Sequence, residues 1–99
     1  MARTPRFHPF FSVDVLQSAD WYETRATGLG VDFTHQIEAG IEELLLDPER
    51  RSNNLYGFRY WPIRRFPQLI LYDVTPSEIL LFGVMHPSQE PDQWIARRE

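Results

Sequence analysis

The chain has 99 residues, 42% of them hydrophobic, and a formal net charge of −4. That length favours one domain, and that apolar share is enough for one ordinary core. Cysteine is absent, which excludes disulfides, thiolate metal sites and a thiol nucleophile. The longest apolar run, Ile79–Met85, is too short to span a bilayer, so we expect a cytoplasmic protein with no membrane contact.

The charges lie in blocks along the chain. Residues 12–49 carry nine acidic side chains and one arginine, whereas residues 50–99 carry seven arginines and five acids. A net acidic protein binds nucleic acid poorly through general electrostatics, so any phosphate recognition has to be local. All ten basic residues are arginine. Arginine suits bidentate contact with phosphate or carboxylate, but we attribute its exclusive use mainly to a compositional bias.

The first 30 residues predict a strand followed by a helix. The aromatic segment Arg6–Phe11 is typical of an edge strand that breaks at Pro9. We expect Ser12 or Asp14 to cap the helix that follows. Thr27–Gly30 contains two glycines and ends this helix. Its apolar positions recur at helical spacing, at Val15, Leu16, Ala19, Tyr22 and Ala26.

A second helix is predicted from Val31 to Leu46. Its end is set by the segment Asp47–Asn54, because Pro48 disfavours helical geometry at the residue before it. A short turn between two amphipathic helices predicts an antiparallel helical hairpin. The apolar stripe of this helix is formed by Phe33, Ile37, Ile41, Leu44 and Leu45.

After the helices, the apolar period changes to that of strands. The strand candidates are Gly57–Ile63, Pro67–Val74 and Ser77–His86. Thr75–Glu78 is a tight turn, so the last two strands should pair as an antiparallel hairpin. Pro91–Arg98 predicts a terminal helical turn. The order β-α-α-β-β-β(-α) predicts an α+β fold, with the helical hairpin packed on one face of a small, mainly antiparallel sheet.

Four stretches, taken in order, carry a resemblance to a known family. They are Ala19–Arg50, which fits a helical hairpin, Arg59–Val74 with its "RRFP" motif, Ile79–Trp94 with its apolar strand ending in histidine, and the tail Ile95–Arg98. Together they resemble the ParE/RelE superfamily of small toxins in bacterial toxin–antitoxin modules, and most of all its ParE (plasmid stabilisation) branch. The resemblance covers essentially the whole chain and implies the superfamily's α+β fold.

What the resemblance implies is the toxin of a type II toxin–antitoxin module that inhibits DNA gyrase by binding and is neutralised by a cognate antitoxin. It implies a toxin–antitoxin hetero-oligomer and no cofactor. One alternative is a ribosome-dependent mRNA endonuclease of the RelE type, and another is a non-toxic, partner-binding member. Three departures weaken the case for a toxic surface: Gln68 replaces a usual aromatic, the segment Pro87–Pro91 after His86 lacks the family's arginines and adds Glu90, and the chain is acidic.

The candidate residues for target or partner binding are Arg65, Trp94, Arg97 and Arg98, because tryptophan and arginine are common hot-spot residues. Strand alternation would place Arg64 and Arg65 on opposite faces, so we expect no joint clamp. The competing interpretation leaves both arginines on a solvated rim, with one paired to an acid. Trp94 equally fits a role in packing the terminal helix onto the sheet.

An RNA-cleaving site would need four side chains to converge, namely Arg59, Arg65, Tyr72 and His86. The competing interpretation is that His86 is a hydrogen-bonded residue at a strand end and Tyr72 belongs to the core. The histidines show no metal-ligand spacing, so no metal site is predicted. Trp21 and Tyr22 are adjacent and cannot share one helix face, so Tyr22 should face the core and Trp21 should stay partly exposed.

Overall fold

The computed structural model describes residues 3–51 and 54–98, so Ser52 and Asn53 of the predicted helix-ending segment lie outside the described residues. The elements are β1 (Thr4–Phe7), α1 (Phe11–Glu23), α2 (Leu29–Leu46), β2 (Arg59–Pro62), β3 (Leu69–Val74), β4 (Glu78–Met85) and α3 (Asp92–Ala96). The strands form one sheet in the order β1-β4-β3-β2. β1 runs parallel to β4, and the other neighbours are antiparallel. The predicted α+β architecture is confirmed.

The helical hairpin α1–α2 covers one face of the sheet. Glu23, the last residue of α1, holds the two helices together, because its carboxylate oxygens accept hydrogen bonds from the N–H groups of Gly28 (2.8 Å) and Gly30 (2.9 Å). A Cβ at Gly30 would lie 2.5 Å from the carbonyl oxygen of Ala19, so only glycine permits this close approach. The buried core between the helices and the sheet consists of Phe11, Phe33, Ile37, Leu44, Trp61, Ile63, Ile70, Tyr72, Ile79, Leu81 and Val84.

The opposite face of the sheet is covered by α3. A second buried cluster lies there, formed by Phe58, Leu71, Met85 and Trp94. Strand alternation separates the two clusters, since Leu71 and Met85 face away from their neighbours Tyr72 and Val84. β4 also contains a β-bulge: Tyr72 pairs with Leu81 and Leu71 with Gly83, so Phe82 is an extra residue. The nearly continuous apolar sequence of β4 therefore serves two cores rather than one. Among the described residues, no helix has the length and hydropathy needed to cross a membrane.

The predicted start and end of α1 are wrong. The helix begins at Phe11, so Ser12 and Asp14 lie inside it and no side chain caps its first turn. Asp14 is instead turned inward, where it meets partners from β4 and α3. The helix ends at Glu23, before the predicted stop at Thr27–Gly30, and α2 already begins at Leu29 because Glu23 supplies the hydrogen bonds for its first turn.

The strands are shorter than predicted, and the two adjacent arginines are not in one. β1 ends at Phe7, before Pro9, and the chain between β2 and β3 is an irregular loop. Arg64 and Arg65 lie in that loop, so the argument from strand alternation does not apply to them. Arg65 has a φ of 69°, a left-handed conformation that no regular strand contains.

Candidate functional site

A buried carboxylate on α1 organises the C-terminal end of the molecule. Asp14 is 7% exposed. Its Oδ2 accepts hydrogen bonds from the backbone N–H of Val84 (2.9 Å), from Nε1 of Trp94 (3.0 Å) and from Nη1 of Arg97 (2.6 Å), and its Oδ1 accepts one from Nη2 of Arg97 (2.9 Å). We call Asp14, Gly83, Trp94 and Arg97 the C-terminal clasp.

The clasp provides hydrogen-bond partners to the part of β4 that has no neighbouring strand. β1 ends at Phe7, so β4 continues past it without a strand neighbour on that side. There the carboxylate of Asp14 accepts the N–H of Val84, and Nη1 of Arg97 donates to the carbonyl oxygen of Phe82 at 3.0 Å. Buried backbone groups need such partners. The Asp14–Arg97 ion pair therefore supplies hydrogen-bond partners to backbone groups at the edge of β4, which would otherwise be open to pairing with another chain.

Gly83 leaves the space in which the clasp forms. A Cβ at this position would lie 2.7 Å from Cδ1 of Trp94 and even closer to the charged groups of Asp14 and Arg97. A glycine in an apolar strand often marks a bulge or a close approach, and here it marks both.

Two of the predicted binding residues make their contacts inside the protein. Trp94 is 1% exposed, and the side chain of Arg97 is 8% exposed. The packing role considered for Trp94 describes its position on the sheet. A direct contact of either side chain with a partner stays a prediction, and it would require the clasp to open.

The other two predicted binding residues are accessible. The side chain of Arg65 is 56% exposed, with Nη2 3.6 Å from Oδ2 of Asp32. The side chain of Arg98 is 34% exposed, with Nη2 3.1 Å from Oδ2 of Asp73 and Nη1 donating to the carbonyl oxygen of Gly57 at 2.7 Å. They lie on different parts of the surface, because Arg65 contacts α2 and Arg98 contacts the end of β3.

Arg64 is the natural comparison for Arg65. Its side chain is 78% exposed, and its Nε lies 3.5 Å from Oε1 of Glu43. Both loop arginines therefore lie on a solvated rim, each paired with an acid of α2. They extend along the rim to different partners and do not form a joint clamp.

The structure brings Arg59 and Tyr72 together. The two residues are direct partners in the β2–β3 ladder. The Tyr72 hydroxyl donates to the carbonyl oxygen of Pro48 at 2.6 Å. Burial raises the pKa of Tyr72 above 10.0, although the nearby guanidinium groups of Arg59 and Arg51 act in the opposite direction. This tyrosine is a buried, hydrogen-bonded neutral group.

His86 lies away from that pair. It follows Met85, the partner of Leu69, and so stands opposite the start of β3. At the usual strand rise, this point is roughly 13 Å from Tyr72. Arg65 is held separately, by its contact with Asp32 on α2. Arg59 and Tyr72 are therefore paired, and His86 lies apart from them along the sheet.

A pocket of about 370 Å³ lies beside the clasp. α1 lies on one side of it, and the start of β3, the end of β4 and α3 close the others. We call it the α1–α3 pocket. Within the described ranges, no group of three or more potential metal-ligating side chains is found here or elsewhere. The side chains that define its chemistry are Gln17, Trp21, Tyr22, Gln68, His86 and Gln93.

His86 presents a defined nitrogen to its surroundings. Its Nδ1 accepts a hydrogen bond from the backbone N–H of Ser88 at 3.0 Å and lies 2.7 Å from the Ser88 hydroxyl. Because a backbone N–H can only donate, the proton of the neutral ring is on Nε2. The structural role of a hydrogen-bonded histidine at a strand end is thus observed, and Nε2–H, which has no partner in the described part of the chain, is a donor.

The roles of three residues were not predicted from the sequence. Asp14 lies on the same helical face as Phe11, and an acid on an apolar face is a signal for a buried partner. Gly83 interrupts an apolar strand, which signals a close approach. Gln68 was noted only as a departure from the family pattern, and it proves to be a buried polar side chain, 6% exposed.

Comparisons with known proteins agree with this architecture. No family model and no curated protein match the chain. Among solved structures, it superposes on a chain of the "Chromosomal ParDE TA system from P. aeruginosa" with a TM-score of 0.72, at 16% sequence identity, over 86% of this chain and 96% of that one. At this identity, the likeness shows a common fold. The protein therefore shares the fold of a ParDE toxin–antitoxin system chain, which confirms the predicted resemblance at the level of architecture.

Proposed function

We propose that the protein is the toxin of a type II toxin–antitoxin module of the ParE type, that it acts by binding DNA gyrase, and that a cognate antitoxin neutralises it. The observation that carries the proposal is the fold shared with a chain of a ParDE system over 86% of this sequence and 96% of that one. The order of motifs along the chain, from the helical hairpin to the arginine-containing tail, supports the proposal that this chain corresponds to the toxin of such a system and not to the antitoxin.

The arrangement of charges supports binding rather than RNA cleavage. Cleavage of RNA requires cations that are free to stabilise a developing phosphorane. Most of the arginines in the described part of the chain already have a carboxylate partner, namely Arg3, Arg6, Arg64, Arg65, Arg97 and Arg98. His86 is also remote from Arg59 and Tyr72. A protein that inhibits by contact needs no such convergence.

Inducible expression in a bacterium tests the proposal. We expect growth arrest with induction of the DNA-damage response, and recovery when the gene adjacent to the toxin gene is co-expressed as antitoxin. In vitro, the purified protein should inhibit supercoiling by DNA gyrase. His86→Ala should keep both activities, because a binder does not need a general acid or base.

Other outcomes identify the alternatives. Arrest with cleaved messages, abolished by His86→Ala, would indicate a ribosome-dependent endonuclease. Normal growth with abundant folded protein would indicate a non-toxic, partner-binding protein.

A further inference from the structure

The α1–α3 pocket carries no uncompensated charge. The carboxylate of Asp14 is its one acidic lining group, and Arg97 neutralises it through a bidentate ion pair. The residues that line the pocket within the described chain include no arginine or lysine. A charged ligand would lose its hydration here without gaining a partner. The lining of the pocket therefore suits an uncharged ligand better than a charged one.

The pocket contains a buried amide with an unused hydrogen-bonding group. Gln68 is 6% exposed, and its Oε1 accepts a hydrogen bond from the Tyr22 hydroxyl at 3.0 Å. Its Nε2 has no hydrogen-bond partner among the residues that the structure describes. Among the described residues, the one fully enclosed side-chain atom without a partner is Nε of Arg51, so Nε2 of Gln68 is open to solvent in the pocket. The unpaired Nε2 of Gln68 is a donor available to a ligand.

Further unpaired amides surround this one. The carboxamides of Gln17 on α1 and Gln93 on α3 line the pocket, are exposed to solvent, and make no hydrogen bond within the described residues. A carboxamide offers two N–H donors and a carbonyl acceptor, which is the complement of a peptide group. Together with the Nε2–H of His86, the walls provide donors and acceptors from α1, from α3, and from the residues just before β3 and just after β4.

An aromatic ring is held at the mouth of the pocket. Trp21 is 53% exposed, and the guanidinium of Arg25 lies 4.1 Å from its ring centroid. Tyr22 meets it edge-on, with the ring centroids 5.1 Å apart. A tryptophan fixed by its neighbours contributes contact area at little cost in conformational entropy.

We propose that the α1–α3 pocket binds a segment of a partner protein that presents uncharged amides, namely its backbone together with a neutral carboxamide or aromatic side chain. The volume of about 370 Å³ suits such a segment and falls within the usual range for ligand pockets of roughly 300–1,000 Å³. A nucleotide fits less well, because no cation lines the pocket to meet its phosphate. The inference does not depend on gyrase being the target, since the isolated chain suffices to test it.

The test is a ¹H–¹⁵N NMR titration of the full chain with capped amino acids. N-acetylglutaminamide and N-acetyltyrosinamide should shift the indole signal of Trp21 and the side-chain amide of Gln68 in a saturable manner. N-acetylglutamate amide and N-acetylargininamide should bind several-fold more weakly. Gln68→Met should weaken the binding of the neutral probes about five- to tenfold, which is the effect of one lost hydrogen bond. Gln36→Met, on α2 and outside the pocket lining, is the matched control and should have no effect.

Three results would overturn the proposal: no saturable shift with either neutral probe, equal binding of the charged probes, or binding of adenosine without binding of the capped amino acids. Trp21→Ala provides a second variant, because its exposed position makes it tolerant of replacement. This variant should bind N-acetyltyrosinamide more weakly than the wild type does, and it keeps the test available if Gln68→Met is too unstable to study. If expression caused no growth arrest but the titration showed the expected binding, the toxin assignment would be refuted and the proposal for the pocket would stand.

Discussion

Asp14 and Arg97 form a bidentate ion pair across 83 residues of sequence, with Nη1 2.6 Å from Oδ2 and Nη2 2.9 Å from Oδ1. Both side chains are buried, at 6% and 8% exposure. The pair attaches the last turn of the chain to α1 and completes the hydrogen bonding of β4. The C-terminal segment is therefore an integral part of the fold.

The first prediction concerns this pair. Asp14→Asn keeps the shape of the side chain but leaves the guanidinium of Arg97 buried without a counter-charge. Breaking a buried ion pair in this way costs about 3–5 kcal/mol. Urea denaturation at pH 7 should show a loss of this size in the free energy of unfolding.

The matched control for Asp14→Asn is Glu78→Gln. Glu78 pairs with Arg6 at 3.5 Å, and the arginine side chain is 72% exposed. Exposed pairs contribute about 0–1 kcal/mol. If the two substitutions destabilised the protein equally, the central role of the clasp would be refuted.

The second prediction is that Gly83→Ala destabilises the protein by about 1–3 kcal/mol, the usual cost of overpacking. The added methyl group would collide with the clasp, including Cδ1 of Trp94 at 2.7 Å. Gly40→Ala is the comparison, because its Cβ would lie 3.1 Å from methyl carbons of Ile63 and Ile70, a tight contact but longer than those at position 83. Alanine also favours the helix there by up to about 1 kcal/mol. Thermal unfolding should therefore show a larger drop in melting temperature for Gly83→Ala than for Gly40→Ala.

The order of helices and strands could be predicted because it depends on local periodicity. The stripe from Phe33 to Leu45 specifies α2, and the short, continuous apolar run of β3 specifies a buried strand. Tyr22 and Trp21 also take the predicted positions, the first packed against the core and the second 53% exposed. In each case, the position of the side chain depends on which face of its own helix or strand packs against the core.

The clasp and the pocket could not be predicted in the same way. Asp14 meets Arg97 only because the bulge in β4 and the direction of α3 bring distant segments together, and no spacing in the sequence encodes that distance. The assignment of Asp14 to a helix cap followed from its residue type alone. For Gln68, the sequence indicated an unusual residue but not that its amide would be buried against Tyr22.

The third prediction concerns Tyr72 and pH. Burial raises the pKa of this phenol above 10.0, so its stabilising contribution is complete below pH 10 and is lost as the pH rises through the raised value. Tyr72→Phe removes the hydrogen bond to the Pro48 carbonyl and should cost about 0.5–1.5 kcal/mol at pH 8. Between pH 10 and 12, the wild-type protein should lose stability faster than the variant. Parallel urea denaturation series would measure this, and coinciding slopes would contradict the assignment.

The fourth prediction concerns the turn between Leu55 and Phe58. Tyr56 and Gly57 have φ values of 53° and 85°, and two positive values are typical of a type I′ turn. Asparagine tolerates the left-handed conformation better than tyrosine does. Tyr56→Asn should therefore raise the free energy of unfolding by about 0.5–1 kcal/mol. Tyr56→Ala is the control and should give no gain in melting temperature.

The fifth prediction tests the surface proposed for target binding. Arg65 and Arg64 are adjacent and exposed, and each is paired with one acid of α2, at 3.6 Å and 3.5 Å. Arg65→Gly suits the backbone, because glycine adopts the φ of 69° without strain. If Arg65 contacts the target, Arg65→Gly should weaken inhibition of gyrase supercoiling about tenfold, the effect of losing a contact worth roughly 1.4 kcal/mol. Arg64→Gly should change it by less than about twofold, and equal losses for both variants would indicate a general charge effect instead of a specific contact.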